Sequence, residues 1–309
     1  MDSNTHQITL IGLGTIGISM AALHLRDPLC TLHLFDTRPD IEMHLLSQLP
    51  ALLEGTADVQ SLISSGRIRF YKSLDEACAC ASIVQEQGPE NVDFKRSLWA
   101  QVEKSAPLSA HFWSSTSGIA ASSQNVDMRD KTRLLVVHPF NPPHIMPLIE
   151  AVPSPVTAPA EVEFVLSYFA RLSPRHRPVV IKKEASGIVG NRLAFALLRE
   201  ACHLVHTGVV SPKDLDSIMM ASLGPRWALN GVFASYNAGG GEGGFGSFLG
   251  KLENTIQEVW DDLGTQNIKG EGATEWKDHV VSEVKATYGE PTQEQAQEIE
   301  AKMKKILQI

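Results

Sequence analysis

The chain has 309 residues, of which 43% are hydrophobic and 20% are charged. It contains 27 lysines and arginines and 35 aspartates and glutamates, which gives a formal net charge of −8. This acidic balance argues against nucleic acid or an anionic membrane surface as the main partner. We therefore expect a small-molecule ligand, and the length suggests two domains.

Short β-rich runs alternate with helical patterns through the first half of the chain. This alternation predicts βαβ units, that is, a mainly parallel sheet covered by helices. The predicted strands are Gln7–Ile11, Thr31–Phe35, Ile68–Tyr71, Ser82–Gln85, His111–Ser114, Arg133–Val137 and Pro178–Lys182. The predicted helices between them include Ile18–Leu25, Ser73–Ala79 and Val92–Lys104.

The strand signal ends near Ala185, and long helical patterns take its place. Two helices are predicted with both a start and an end, Ile188–Thr207 and Leu249–Leu263. Two more are predicted from their start signals alone, one at Ser211-Pro212 and the last at Thr292. The run Gly239–Gly246 has no Gly-Lys-Ser/Thr ending and no preceding strand, so we predict a mobile connector between helices. The sequence thus predicts an α/β domain over 1–185 and an all-helical domain over 186–309.

The four cysteines are Cys30, Cys78, Cys80 and Cys202, and their spacing contains no paired C-x-x-C ligand set. We predict reduced thiols in a cytoplasmic protein and no metal site. The first ten residues lack the features of a secretory signal, and no stretch reaches about 18 uninterrupted apolar residues. Neither secretion nor a membrane span is expected.

A glycine motif follows the first predicted strand and opens the first predicted helix. Gly12 permits a tight turn, Gly14 lets backbone amides approach a pyrophosphate, and Gly17 allows close packing of helix on strand. The next strand ends at Asp36, where a carboxylate accepts hydrogen bonds from ribose hydroxyls and repels a 2′-phosphate. The motif predicts NAD rather than NADP, the alternative being a glycine-rich turn without function. The predicted cofactor-binding residues of this motif are Gly12, Gly14, Thr15, Ile16, Gly17 and Asp36.

A histidine and a carboxylate form the second candidate site. His138 closes a predicted strand of the parallel sheet, at the edge where ligands of such sheets bind. Histidine is the side chain best suited to take a proton from an alcohol near neutral pH. Glu150 is placed to orient the His138 ring after a turn that contains Pro142 and Pro143. The alternative is a loop histidine with an unrelated surface carboxylate.

Several segments together resemble the L-3-hydroxyacyl-CoA dehydrogenase family. They are GLGTIG with Asp36, QEQGPEN followed by Lys95, SSTSG at 114–118, HPFNPPHIMPLIE at 138–150 and SGIVGNRL at 186–193. HPFNPP and GPRWAL at 224–229 are closest to the branch that contains lambda-crystallin, L-gulonate 3-dehydrogenase and carnitine dehydrogenases. The resemblance implies a Rossmann-type first domain, a helical domain that joins two subunits in a homodimer, and NAD-dependent oxidation of a 3-hydroxy acid.

The resemblance also implies roles for individual residues. His138 matches the general base and Glu150 its partner, while Ser117 and Asn191 match the groups that hold the substrate oxygen. Taken alone, Ser117 is a turn serine and Asn191 a helix-capping residue. Positions matching the family's cofactor site are Glu86, Lys95, Ser117 and Asn141.

Arg226 matches an arginine that lies near the active site in the free-acid branch. A guanidinium there grips a carboxylate in two hydrogen bonds, and the alternative is a surface arginine packed on Trp227. A short-chain 3-hydroxyacyl-CoA dehydrogenase, a biosynthetic ketoreductase and a non-catalytic crystallin-like protein that binds NAD remain as alternative functions.

Overall fold

The computed structural model describes residues 6–53, 55 and 57–307. The chain separates into two compact units, one built mainly from the residues up to Arg192 and the other from Leu193–Lys305. The domain boundary at 185/186 stays a prediction from the sequence.

An eight-stranded sheet forms the centre of the first unit. The strands are β1 (His6–Ile11), β2 (Cys30–Phe35), β3 (Ile68–Phe70), β4 (Ile83–Glu86), β5 (His111–Ser114), β6 (Leu134–Pro139), β7 (Leu148–Pro153) and β8 (Arg177–Val180). Their order in the sheet is β3-β2-β1-β4-β5-β6-β7-β8, so successive strands are added on one side of β1 up to β3 and on its other side from β4 onward. The pairs from β3 to β6 are parallel, as predicted, whereas β7 runs antiparallel to β6 and parallel to β8.

The strand β7 was not predicted from the sequence. Pro147 and Pro153 flank or end it, and Glu150 interrupts its apolar run, so the local pattern indicates a turn rather than a strand. Pairing with β6 nevertheless places Glu150 directly opposite His138. The sheet thus builds the pair that was predicted from chemistry.

Helices cover both faces of this sheet. Along β6, Leu135 and Val137 join one apolar cluster while Leu134 and Val136 join the other, as alternation along a strand requires. The helices of this unit are α1 (Thr15–His24), α2 (Ile41–Leu53), α3 (Val59–Ser64), α4 (Leu74–Cys78), α5 (Val92–Ser105), α6 (Ala121–Gln124) and α7 (Pro159–Leu172). Of these, α2, α3, α6 and α7 were not predicted from the sequence.

The second unit is helical in its described residues, as predicted. Ser211 caps α9 by accepting a hydrogen bond from the Asp214 amide at 3.1 Å, and Thr292 caps α13 through the Gln295 amide at 3.2 Å. A single 3-10 turn, Gly241–Gly243, joins α10 to α11. The helices that follow the sheet are α8 (Gly190–His206), α9 (Pro212–Ala221), α10 (Leu223–Gly239), α11 (Gly244–Asp262), α12 (Ala273–Tyr288) and α13 (Gln293–Leu307). Within the described residues, no helix combines the length and apolarity that crossing a membrane requires.

Candidate active site

The parallel strands bring most predicted site residues of the first unit to one edge of the sheet. Strands that run in the same direction end at the same edge of the sheet. Ligands of open α/β sheets bind at this edge, beside the two neighbouring strands between which the strand order changes direction, here β1 and β4. Residues at or just after the ends of β1, β2, β4, β5 and β6 are Gly12, Asp36, Glu86, Ser117 and His138.

The loop after β1 requires glycine at two positions. Gly12 has a φ of +88°, and a Cβ there would lie 3.0 Å from the Gln87 carbonyl oxygen. A Cβ on Gly17 would lie 2.1 Å from the Gly12 carbonyl oxygen. Since neither position accepts a larger side chain without movement of the backbone, both predicted packing roles agree with the geometry.

The residues around α1 fit a dinucleotide. Gly14 and Thr15 are exposed at the start of α1, no described side chain caps that end, and the space around Gly14 is open. Free amides at a helix N-terminus bind phosphate oxygens. Asp36 accepts hydrogen bonds from the Leu13 amide at 2.7 Å and the Arg38 amide at 2.9 Å, so its carboxylate is fixed beside this loop.

His138 and Glu150 form a buried pair. The His138 Nδ1 atom lies 2.8 Å from Glu150 Oε2, and both side chains are almost fully enclosed. The other carboxylate oxygen, Oε1, accepts hydrogen bonds from the Val189 amide at 3.1 Å and the Gly190 amide at 3.0 Å. Burial raises the pKa of Glu150, but the hydrogen bonds from His138, Gly190 and Val189 and the charge interaction with His138 together outweigh burial and hold that pKa below its usual value. Glu150 is therefore a carboxylate at neutral pH.

The start of α8 lies against this pair. Gly190 belongs to its first turn, and a Cβ there would lie 2.4 Å from the Phe140 ring, which itself packs edge-on against His138 at 5.8 Å between ring centroids. Glycine at 190 thus lets the helix approach the base. Asn191, the next residue, is half-buried at this end of α8.

Glu86 and Lys95 face each other rather than an open surface. The Lys95 Nζ atom lies 2.6 Å and 2.8 Å from the two oxygens of Glu86, and neither residue is exposed. The Ser114 hydroxyl and the Gly88 amide donate to the same carboxylate at 2.9 Å and 2.6 Å. These four hydrogen bonds occupy both oxygens of Glu86, so this pair fixes the ends of β4 and β5.

The remaining predicted residues lie in exposed positions. Ser117 is exposed in the turn after β5, and Asn141 is exposed just after β6. Arg226 is exposed on α10 of the second unit. Glu90, which the sequence analysis did not single out, accepts a hydrogen bond from the Ser117 amide at 2.6 Å. The motif QEQGPEN contains this residue, but only the fold shows which turn it contacts.

Comparison with protein families gives two matches that together span most of the chain. Residues 7–185 match the 3-hydroxyacyl-CoA dehydrogenase, NAD binding domain. Residues 187–270 match the 3-hydroxyacyl-CoA dehydrogenase, C-terminal domain.

Individual proteins agree with these matches. A 3-hydroxyacyl-CoA dehydrogenase from Gibberella moniliformis is 35% identical over 269 residues, covering 85% of this chain and 82% of the relative. An L-carnitine dehydrogenase from Mesorhizobium japonicum is 34% identical over 256 residues, covering 82% of this chain and 70% of the relative. A solved structure is that of 5-formyl-3-hydroxy-2-methylpyridine 4-carboxylic acid 5-dehydrogenase, an NAD⁺-dependent dismutase, whose sequence is 28% identical. The two structures align with a TM-score of 0.79 over 98% of this chain and 97% of the other.

The family match, the solved structure and the glycine loop agree that the cofactor is NAD. The family match and the two sequence relatives indicate NAD-dependent dehydrogenation of a CH–OH group. This chain belongs to the 3-hydroxyacyl-CoA dehydrogenase family.

Proposed function

We propose that this chain interconverts a free 3-hydroxy acid and its 3-keto form, with His138 as general base and Glu150 as the residue that positions it. The observation that carries the proposal is the buried contact of 2.8 Å between His138 Nδ1 and Glu150 Oε2 at the edge of the sheet.

The pairing fixes which nitrogen of His138 acts. Because Glu150 is ionised, it accepts a hydrogen bond, so Nδ1 of His138 carries the proton and Nε2 keeps a lone pair. Nε2 takes the hydroxyl proton of the substrate, and Glu150 stabilises the imidazolium that results. Bound NAD supplies the hydride acceptor for this oxidation.

Ser117 and Asn191 are proposed to hold the substrate oxygen. The hydroxyl of Ser117 and the amide of Asn191 are donors, and donors aimed at this oxygen stabilise its alkoxide character as the proton leaves. The Gly190 amide is bonded to Glu150, so the start of α8, and with it Asn191, is tied to the base.

The test is an assay of NADH absorbance with L-gulonate, carnitine, 3-hydroxybutyrate and 3-hydroxybutyryl-CoA. We expect turnover of a free acid, and we expect His138→Gln to lower kcat by at least about 10²-fold while NAD binding is kept. Near-wild-type turnover in this variant contradicts the assignment of the base. No turnover with any substrate favours the non-catalytic, crystallin-like alternative.

The alternative substrate is an acyl-CoA ester, and the name of the Gibberella relative supports it. Variants of Arg226 test whether the substrate is a free acid or such an ester. We propose that Arg226 grips the substrate carboxylate, since a thioester lacks that anionic oxygen. Its exposure on α10 leaves the guanidinium accessible, and among the described residues it forms no ion pair. Arg226→Ala is expected to raise KM for the acid sharply, and Arg226→Lys to restore it only in part. An unchanged KM, or efficient use of the CoA ester alone, favours a short-chain 3-hydroxyacyl-CoA dehydrogenase.

The assembly and the location are also proposals. Large apolar side chains are exposed on the helical unit, among them Leu229 and Phe233, and a second copy of the chain would cover such a surface. We propose a lambda-crystallin-like homodimer joined through this unit. The free, buried thiols of Cys30 and Cys78 support a cytoplasmic protein.

A further inference from the structure

The turn that carries Ser117 is held by a carboxylate from another part of the chain. Glu90 lies between β4 and α5, and its two oxygens contact successive residues of the turn. The Ser117 amide donates to Oε1 at 2.6 Å, and the Thr116 hydroxyl donates to Oε2. Thr116 Oγ1 in turn accepts hydrogen bonds from the Gly118 amide at 3.2 Å and the Ile119 amide at 3.0 Å.

Glu90 is itself fixed on both sides. Two residues before it, the Gly88 amide is bonded to the buried Glu86 carboxylate. Directly after it, Asn91 caps α5 by accepting a hydrogen bond from the Phe94 amide at 2.9 Å. Glu90 therefore extends from a short segment with two anchored ends, so its carboxylate is a defined support for the turn.

Packing does little to hold Ser117. Its side chain is exposed, and its hydroxyl is bonded to no other residue in the described part of the chain. Hydrogen bonds to an ionised carboxylate are about twice as strong as neutral ones. The position of the Ser117 backbone, from which the hydroxyl extends, is therefore held by the hydrogen bonds of Glu90 and Thr116.

We infer that Glu90 is a positioning residue: its carboxylate holds the turn so that the Ser117 hydroxyl meets the substrate oxygen. The inference rests on the proposed function, in which Ser117 is a donor to that oxygen. A donor misplaced by about 1 Å can cost up to about 10²-fold in rate. We expect Glu90→Gln to lower kcat about tenfold, because the NH₂ of a glutamine faces the Ser117 amide or the Thr116 hydroxyl as a second donor.

The first measurement needs no substrate. Hydrogen exchange of the peptide over residues 114–120 is compared in the wild type, Glu90→Gln and Asp93→Asn. Asp93 is a nearby carboxylate on the first turn of α5 whose side chain is 85% exposed, so this variant controls for the loss of one negative charge. We expect faster exchange in Glu90→Gln alone, and equal exchange in all three proteins overturns the inference.

The second measurement is a double-mutant cycle with Ser117→Ala. At saturating NAD, Glu90→Gln is expected to lower kcat about tenfold in the wild-type background and less than about twofold in the Ser117→Ala background. An equal loss in both backgrounds means that Glu90 acts only on stability or elsewhere, which overturns the inference. A wild-type chain inactive on every substrate instead refutes the proposed function, and the inference falls with it.

Discussion

Four carboxylates at the sheet edge each accept a hydrogen bond from a backbone amide of a loop. Asp36 accepts from the Leu13 amide, Glu86 from the Gly88 amide, and Glu150 from the Val189 amide. Glu90 bonds the Ser117 amide in the same way. Loops usually move more than the strands that they follow. These side chains therefore restrain the loops on which the proposed chemistry depends.

Asp36 is expected to make NAD the preferred cofactor. Its carboxylate repels a 2′-phosphate, so kcat/KM for NAD should exceed that for NADP by more than about tenfold, or about 1.4 kcal/mol. Asp36→Ala should reduce this ratio. The ratio is the proper measure, because loss of the bond to the Leu13 amide weakens binding of both cofactors.

The matched control is Asp40→Ala. Asp40 is exposed and forms an ion pair with Arg38 at 3.3 Å. Replacing Asp40 removes one negative charge close to Asp36 and releases Arg38 from its ion pair, while Asp36 itself is kept. Comparable kcat/KM for NAD and NADP in the wild type, or an equal change of the ratio in both variants, contradicts the prediction.

Glu150 is expected to make stability depend on pH. Its pKa in the folded chain lies below the value of 4.5 taken for the unfolded chain. The carboxylate therefore stabilises the fold at every pH above about 4.5, and this contribution is lost as pH falls through the folded pKa. In urea denaturation, the difference in unfolding free energy between wild type and Glu150→Gln should be larger at pH 7 than at pH 3.5.

The exposed residue Glu253 provides the control, because its replacement by glutamine leaves the buried pair intact. Glu150→Gln should also shift the pH profile of kcat, since an amide stabilises the imidazolium less than a carboxylate does. A stability difference that does not change with pH contradicts this prediction.

At the scale of elements, the Lys95–Glu86 pair joins α5 to the end of β4. Lys95 is spaced so that it shares a face with Leu98, Trp99 and Val102, which are all buried. From the sequence alone, a lysine on an amphipathic helix is expected to be solvated, and the structure instead buries it. The partner is not visible, because Glu86 meets Lys95 only once β4 and α5 have packed.

Lys95→Met is expected to lower the free energy of unfolding by about 3–5 kcal/mol, because it leaves the buried Glu86 carboxylate without its counter-charge. The double variant with Glu86→Gln should lose less than the single variant. Lys104→Met, an exposed change on the same helix, should stay within about 0.5 kcal/mol of the wild type. Equal stability of the Lys95 and Lys104 variants in urea denaturation contradicts this account.

Predictability from the sequence also differed among elements. The parallel strands carry continuous apolar runs, so β1, β2, β5 and β6 could be placed to within one or two residues. The strand β7 could not, because its local residues favour a turn and it exists through pairing with β6. The helix α2 contains Pro50, which interrupts a helical pattern. Long-range contacts thus decided the elements that local patterns missed.

The same limit holds for the site. His138 and Glu150 could be paired from their chemistry and the intervening turn. Glu90 could not be assigned, since 27 residues separate it from the Ser117 amide to which it bonds. Such contacts depend on which strands lie side by side, and the order β1-β4-β5 is a property of the folded sheet.

At the scale of the whole molecule, the two units differ in how they bury apolar side chains. In the first unit the two faces of the sheet supply continuous apolar clusters. In the second, Leu229 is 83% exposed and Phe233 is 73% exposed on α10, on either side of the break at Gly231. A stable interface buries about 1,200–2,000 Å² in total, and side chains of this size at its centre contribute strongly to association.

We therefore expect a dimer by light scattering at micromolar concentration, and a monomer when Leu229→Glu and Phe233→Glu are combined, because two buried charges on each subunit oppose association. Leu108→Glu is the matched control, since Leu108 is 90% exposed on the first unit and lies outside the proposed interface. This variant should remain a dimer. A monomeric wild type, or dissociation of the Leu108 variant to the same extent, contradicts a homodimer joined through the helical unit.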